Sequence, residues 1–321
     1  MLVFDIYVAK DYVLENGSDG VPRAVEMTER YSVLRKEVLK RYQTDDTKQT
    51  VDFSFNWDGS RWRGHLFFSL DGWVINGRRL TEGSDDLSAL GFNPEHVTSV
   101  CSGVGLTLFI GATGSGKSTS MVAASEELAK TNKRGLTITI EDPIEYVYTD
   151  KLVFQREVGT HTNSMADGVR EAVRERPKTI IIGEIRDPET AYAAILAGLS
   201  GHRVFASIHA KDVREGISRM LILLGEDHSG MFYEAVQGYV AQNLIWTSQS
   251  ADGRPVLLYE TLVQDEQVKS CIKRGPEYLQ QLVHEFNRQK RFRMGEMGQT
   301  LIKIGRATKD QIEGALGSKL N

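Results

Sequence analysis

Leu106 to Thr119 reads LTLFIGATGSGKST. Leu106 through Ile110 are apolar or β-branched without interruption, the composition of a short strand buried on both faces. They run directly into Gly111-Ala112-Thr113-Gly114-Ser115-Gly116-Lys117-Ser118. Without a Cβ, Gly111, Gly114 and Gly116 can adopt φ > 0 and let successive backbone N–H groups curl around phosphate oxygens. Lys117 has the reach for β- and γ-phosphates, and the Ser118 hydroxyl can ligate Mg²⁺. The alanine-rich helix beyond, Met121 to Leu128, turns the positive end of its dipole to the same anion. Strand, loop and helix in that order read as a P-loop rather than a chance Gly/Ser turn. The residues expected to hold ATP and Mg²⁺ are Gly111, Thr113, Gly114, Ser115, Gly116, Lys117, Ser118 and Thr119.

Outward from this loop the pattern alternates strand and helix, which predicts an α/β unit with a parallel sheet covered by helices. The strands read as Leu106 to Ile110, Leu136 to Ile140, Thr179 to Ile182 and Arg203 to Ser207. Ligands of such sheets sit at the carboxyl ends of the strands, so the residues just past each strand are informative. After the P-loop strand come Glu141-Asp142-Pro143-Ile144-Glu145, then Gly183-Glu184-Ile185-Arg186-Asp187, then Ile208-His209. Taken singly, the acidic groups read equally well as caps or surface charge, and a lone histidine is more often structural. Gathered at one edge, they supply the groups needed to hold Mg²⁺, activate water and sense a γ-phosphate. Arg170 and Arg174 share a helix face with Glu171 and Glu175 close by, the pattern of a solvated salt-bridged face.

Residues 1–96 read as a smaller α+β domain with its linker, and 97–321 as the nucleotide domain with C-terminal helices. The smaller domain holds a helix over Val25 to Tyr42 and a meander in which Asp58-Gly59 and Asp71-Gly72 supply the turns. Arg61, Arg63, Arg78 and Arg79 lie on that meander, where charged residues normally face solvent. After Ala210 the spacing predicts helices over Val213 to Leu224, His228 to Ile245 and Pro276 to Phe292, a possible strand over Val256 to Val263, and an amphipathic pair over Met297 to Leu316.

Length of 321 residues allows about two domains, and the formal net charge of -4 disfavours a general binder of nucleic acid. Cys101 and Cys271 form neither a disulfide framework nor a metal cluster, which fits a reducing compartment. No apolar run reaches the length of a membrane span, so membrane association is expected through a partner.

With these residues in view, the chain resembles the secretion and pilus-motor ATPases, the type II/type IV secretion superfamily that includes the GspE and PilT proteins. The resemblance rests on GATGSGKST, on ITIEDPIEY (Ile138 to Tyr146), on IIIGEIRDPETA (Ile180 to Ala191), on GHRVFASIHA (Gly201 to Ala210), and on QREVG with the helical arginines after it. It implies a RecA-like P-loop ATPase domain, a PAS-like N-terminal domain and a helical C-terminal tail. It also implies a cytoplasmic homohexamer on the bacterial inner membrane that works for pilus assembly or retraction or for secretion.

By resemblance Lys117 and Ser118 bind phosphate and metal, and Glu184 serves at the metal beside Gly183, where other P-loop ATPases carry aspartate. Glu145 polarises the attacking water, with the choice of general base open between Glu145 and Glu184. His202 and His209 read the γ-phosphate, and Arg156, Arg170 and Arg174 act as arginine fingers or sensors. An R-x-R strand of the N-terminal domain lies over nucleotide across a subunit boundary, which implicates Arg61, Arg63, Arg78 and Arg79.

The chain departs from the family at Ala112, where proline is usual, and at Ala210, where threonine is usual. It also lacks the N-terminal Asp-(Ile/Leu)-His signature. Without the four-cysteine zinc insertion it resembles most the PilT-like retraction and type IVB secretion members. A RecA-like nucleic-acid translocase is the alternative expectation, and a non-hydrolysing nucleotide switch a third.

Overall fold

The computed structural model describes residues 3–17, 21–83, 85–131, 133–247, 255–317 and 319. Its chain divides into two units, residues 1–82 with 143–148 and residues 83–142 with 149–321.

Alternation of apolar and polar residues builds the first unit. It comprises β1 (Val3–Val8), β2 (Val13–Gly17), β3 (Pro22–Val25), α1 (Glu29–Tyr42), β4 (Val51–Trp57), β5 (Ser60–Ser69), β6 (Gly72–Arg79) and the two-residue β7 (Thr81–Glu82). The first six strands form an antiparallel sheet in the order β3-β2-β1-β6-β5-β4. Ile6, Val8, Phe53, Trp62, Leu66 and Ile75 from the sheet bury against Tyr31, Leu34 and Val38 of α1. Residues Asp58 (φ 51°) and Gly59 (φ 71°) make the left-handed turn that a tight hairpin between right-twisted strands requires. The helix expected from Val25 begins at Glu29, because Val25 is paired with Val13 in the sheet.

The second unit comprises α2 (Pro94–Cys101), β8 (Gly105–Ile110), α3 (Lys117–Lys130), β9 (Thr137–Glu141), β11 (Val153–Glu157), α4 (Met165–Arg174), β12 (Thr179–Ile182), α5 (Pro188–Leu199), β13 (Arg203–Ile208), α6 (Val213–Ala235), β14 (Val236–Ile245) and β15 (Val256–Val263). After these come α7 (Glu266–Lys273), a 3-10 turn (Pro276–Gln281), α8 (Leu282–Arg288), α9 (Met294–Lys303) and α10 (Lys309–Leu316). The short β10 (Tyr146–Val147), between β9 and β11 in the chain, pairs in parallel with β7 and belongs to the first unit.

The seven strands of the second unit run in the order β11-β9-β12-β13-β8-β14-β15, all parallel except β15. Every residue of β8, β12 and β13 is buried, which is why these segments read as unbroken apolar runs. Among the described residues no helix is long and apolar enough to cross a membrane.

Two expectations are corrected. The helix expected over His228 to Ile245 is helical only to Ala235; Val236–Ile245 is a strand lodged between β8 and β15. Its Val-x-Gly-Tyr-Val-Ala run is buried on both faces, and burial of that kind hides the period that separates strand from helix. The boundary expected at residue 96 falls at residue 82 instead. Leu87, Phe92, Val97 and Val100 are buried, the Tyr259 hydroxyl of β15 accepts the Asn93 N–H at 3.0 Å, and Thr107 of β8 donates to the Val100 carbonyl at 2.6 Å. Residues 83–101 are therefore part of the nucleotide unit's own core rather than a linker.

Candidate nucleotide site

The loop between β8 and α3 holds Gly114 at φ 76° and Gly116 at φ 85°, conformations that a Cβ would strain. Gly111 is required for a different reason: a Cβ there would strike the Ser115 hydroxyl and come within 2.7 Å of the Gln242 carbonyl oxygen. Around Gly114 nothing approaches a built Cβ within 4 Å, so the loop's upper face is open. Lys117 is buried to 8% exposure, and its ammonium donates to the carbonyls of Gly111 and Ala112 at 2.9 Å each.

The chain ends of β12 and β13 come to this loop. Glu184 Oε1 lies 2.9 Å from His209 Nε2, Glu184 Oε2 accepts from Arg186 Nε at 2.8 Å, and His209 Nδ1 is 3.5 Å from Thr113 Oγ1. A neutral His209 that donates through Nε2 keeps Nδ1 free to accept from the threonine. Burial, and then the charge of Lys117, hold the imidazole below the ordinary histidine range, against the pull of Glu184. Arg219 reaches back from α6 to the His209 carbonyl at 3.0 Å, and Ser207 Oγ donates to the Gly183 carbonyl at 2.6 Å, so both loops are tethered. P-loop, acidic strand end and histidine strand end thus meet as the parallel topology requires.

Other expected residues sit elsewhere. His202 precedes β13 and His209 comes after it, so the two are on opposite edges of the sheet, roughly 20 Å apart for a strand of this length. His202 Nδ1 lies 3.2 Å from the Ala197 carbonyl, so the structure does not bring His202 to the P-loop beside His209. Arg156 is anchored by Glu171, by Glu175 at 3.4 Å and by the His161 carbonyl at 3.1 Å. Arg170 pairs with Asp167 at 2.9 Å, and both Arg170 and Arg174 are exposed on α4. Asp187 caps α5 through the Thr190 N–H at 2.7 Å, a structural task.

Within the first unit, Glu145 pairs with Arg63 at 3.8 Å, Arg61 donates to Asn56 at 3.3 Å, and Arg78 is held by Asp5 at 2.7 Å. Arg63 and Arg78 are opposed across β5 and β6, and Arg79, half-buried, faces Trp62 in register. Glu145 therefore groups with the arginines of the N-terminal sheet.

Sequence reading missed three contributors: Arg186, Gln242 and the Thr139–Gln155 pair that holds Glu141 Oε1 at 2.5 and 3.0 Å. The one signal for Gln242 was an uncharged polar residue inside an apolar run.

A parallel sheet whose central strand opens into a phosphate loop, with a glutamate and a histidine joined beside it, defines a RecA-like P-loop ATPase. The sequence profile of the type II/IV secretion system proteins matches residues 78–312, and the chain belongs to that family. Relatives include the type IV pilus ATPase PilU of Pseudomonas aeruginosa, 31% identical over 293 residues that span 82% of this chain and 75% of PilU. An uncharacterized protein of Escherichia coli, YggR, is 31% identical over 253 residues, 75% of this chain and 76% of its own. Among solved structures, the ATPase DotB of Legionella pneumophila superposes with a TM-score of 0.80 at 27% identity, covering 97% of this chain and 90% of DotB. The pilus retraction motor PilT with bound ADP superposes with a TM-score of 0.80 at 28% identity, covering 97% and 92%.

Proposed function

We propose that this ATPase works as a ring of six copies that turns ATP hydrolysis into movement of a type IV pilus or secretion machine. The ring sits on the cytoplasmic face of the inner membrane, held there by a platform protein of the machine. The observation that supports hydrolysis most directly is the Glu184–His209 pair at 2.9 Å, with Thr113 of the P-loop next to the same imidazole. A site built only to bind nucleotide would not need a carboxylate tied to a ring that also touches the phosphate loop.

In this reading the backbone N–H groups of 111–119 wrap the phosphates and Lys117 leaves its two carbonyl acceptors for the β- and γ-phosphates. Ser118 and Glu184, hard oxygen donors of the kind Mg²⁺ takes, would hold that cation, which would supply charge neutralisation at the phosphates. His209 couples the γ-phosphate to Glu184. Glu145 orients the attacking water, and the general base is Glu145 or Glu184. Arg170 and Arg174, which are exposed, reach a neighbouring subunit's nucleotide more readily than Arg156, whose guanidinium is already tied. Arg61, Arg63 and Arg78 form the basic face that a nucleotide of the adjoining subunit meets, whereas Arg79, in register with Trp62, lies on the opposite face of the sheet.

The names of PilU and of the pilus retraction motor support pilus work of the retraction kind, and DotB supports secretion. Family membership disfavours the nucleic-acid translocase, whose ATPase rate would rise with single-stranded DNA. Glu184→Gln is expected to retain bound ATP and to lower turnover at least a hundredfold, with Lys117→Ala losing binding as the control. Parent turnover in Glu184→Gln, measured as phosphate release, would falsify the role given to this carboxylate.

A further inference from the structure

Gln242 lies on β14, one residue past the pairing of Ala241 with Ile110, and its side chain is 1% exposed directly beneath the P-loop. Its Nε2 donates to the Ser115 carbonyl at 2.6 Å, and its own main-chain oxygen is the backbone atom that, with the Ser115 hydroxyl, leaves no room for a Cβ at Gly111. The same amide nitrogen stands 3.3 Å from a Cβ built on Gly116. Yet Gln242 Oε1 and Ser115 Oγ, both buried, have no hydrogen-bond partner among the described residues. An apolar residue would fill this position in β14 without stranding an oxygen, so the strand tolerates a penalty for the amide that only its donated bond offsets.

We infer that Gln242 is a positioning residue of the nucleotide site, fixing the Ser115–Gly116 peptide so that the Gly116 N–H faces the bound phosphate. The peptide is planar and trans, so its C=O and N–H point in opposite directions. Drawing the carbonyl down toward β14 turns the N–H up into the open side of the loop. Gly116, at φ 85°, has no rotational preference of its own that would hold this orientation. The inference rests on the loop being an ATP site.

Two variants test it by titration of a fluorescent ATP analogue with Mg²⁺, each compared with the parent at pH 6 and pH 8.5. In Gln242→Glu the carboxyl, when protonated, still donates to Ser115, and when ionised opposes one acceptor with another. The expected result is binding about tenfold weaker than the parent at pH 8.5 that returns to within about threefold at pH 6. Gln242→Leu is expected to bind about tenfold more weakly at both pH values while melting no lower than the parent. The inference is overturned by parent-like affinity in either variant, or by a deficit in Gln242→Glu that ignores pH. A Leu variant that melts lower but keeps its affinity, or failure of both variants to fold, makes Gln242 a structural residue and also overturns it. Failure of the parent itself to bind the analogue would strike the ATP reading instead, and is distinguished because it precedes any substitution.

Discussion

Glu260 is a carboxylate buried at the centre of β15, and its titration should be readable in the protein's stability. Oε1 accepts the Val213 N–H at the start of α6 at 3.1 Å, and Oε2 accepts the Met294 N–H at the start of α9 at 3.2 Å. It forms the floor of a cavity of about 700 Å³ whose charged lining is Lys211, Asp212, Arg214, Glu215, Arg293, Glu296 and Lys319. Burial pushes its pKa up; the Val213 N–H opposes this, Asp212 adds to it, and the Met294 N–H and Arg214 oppose it more weakly. The outcome is a rise from 4.5 to about 7.

The folded protein therefore binds this proton more tightly than the unfolded chain. The stabilisation is fully present below the unfolded value and is lost as pH rises through the folded one. At 1.36 kcal/mol per unit, the loss between pH 4.5 and pH 7 is about 3 kcal/mol, or roughly 6–12 °C in melting temperature for a unit of this size. Glu260→Gln cannot ionise, and its amide faces one backbone N–H donor wrongly, which lowers stability by a constant amount at every pH. Parent and variant should be melted in parallel from pH 5 to pH 9, using circular dichroism. The parent is expected to lose ground relative to the variant as pH rises and then to run level above pH 8. Parallel curves across the range would refute the claim that desolvation outweighs the two helix-end donors.

Packing in each unit gives a sharper pair of expectations. Gly64→Ala would place a Cβ against the Phe53 ring in the N-terminal sheet, and overpacking of that kind costs about 1–3 kcal/mol, measurable as a lowered melting temperature. Arg203→Met would strip donors from the carbonyls of Ser102 (2.6 Å), Lys133 (2.7 Å) and Gly103 (3.3 Å), and a loss of about 3 kcal/mol in urea unfolding is expected. A Met variant as stable as the parent would mean those carbonyls reach water.

Much of the site was legible in the sequence because its logic is local. A P-loop states its own geometry in glycine spacing, and parallel strands place the residues at their carboxyl ends along one edge. That is how Glu184 and His209 are expected at one edge of the sheet, where the structure sets them 2.9 Å apart. The same rule, applied to the residues before a strand, would have separated His202 from His209.

Other features were written in tertiary contacts. Val236–Ile245 has the composition of a buried helix or a buried strand, and only the vacant place beside β8 decides between them. Gln242 is invisible as a functional residue until that strand is seen to run beneath Gly111. The segment 83–101 looks like a linker because it is polar and turn-rich, yet four of its apolar residues are buried and its backbone bonds to β15 and β8.

The pairing of β7 with β10 has a genealogical consequence. Because residues 143–148 belong to the first unit while their flanks belong to the second, the polypeptide passes between the units at three places: 82/83, 142/143 and 148/149. A recombination event that swapped everything before residue 83 would leave the recipient's own β10 to pair with a foreign β7. The N-terminal domain and that hexapeptide must therefore be inherited together, and grafts between members of the family should keep both from one parent.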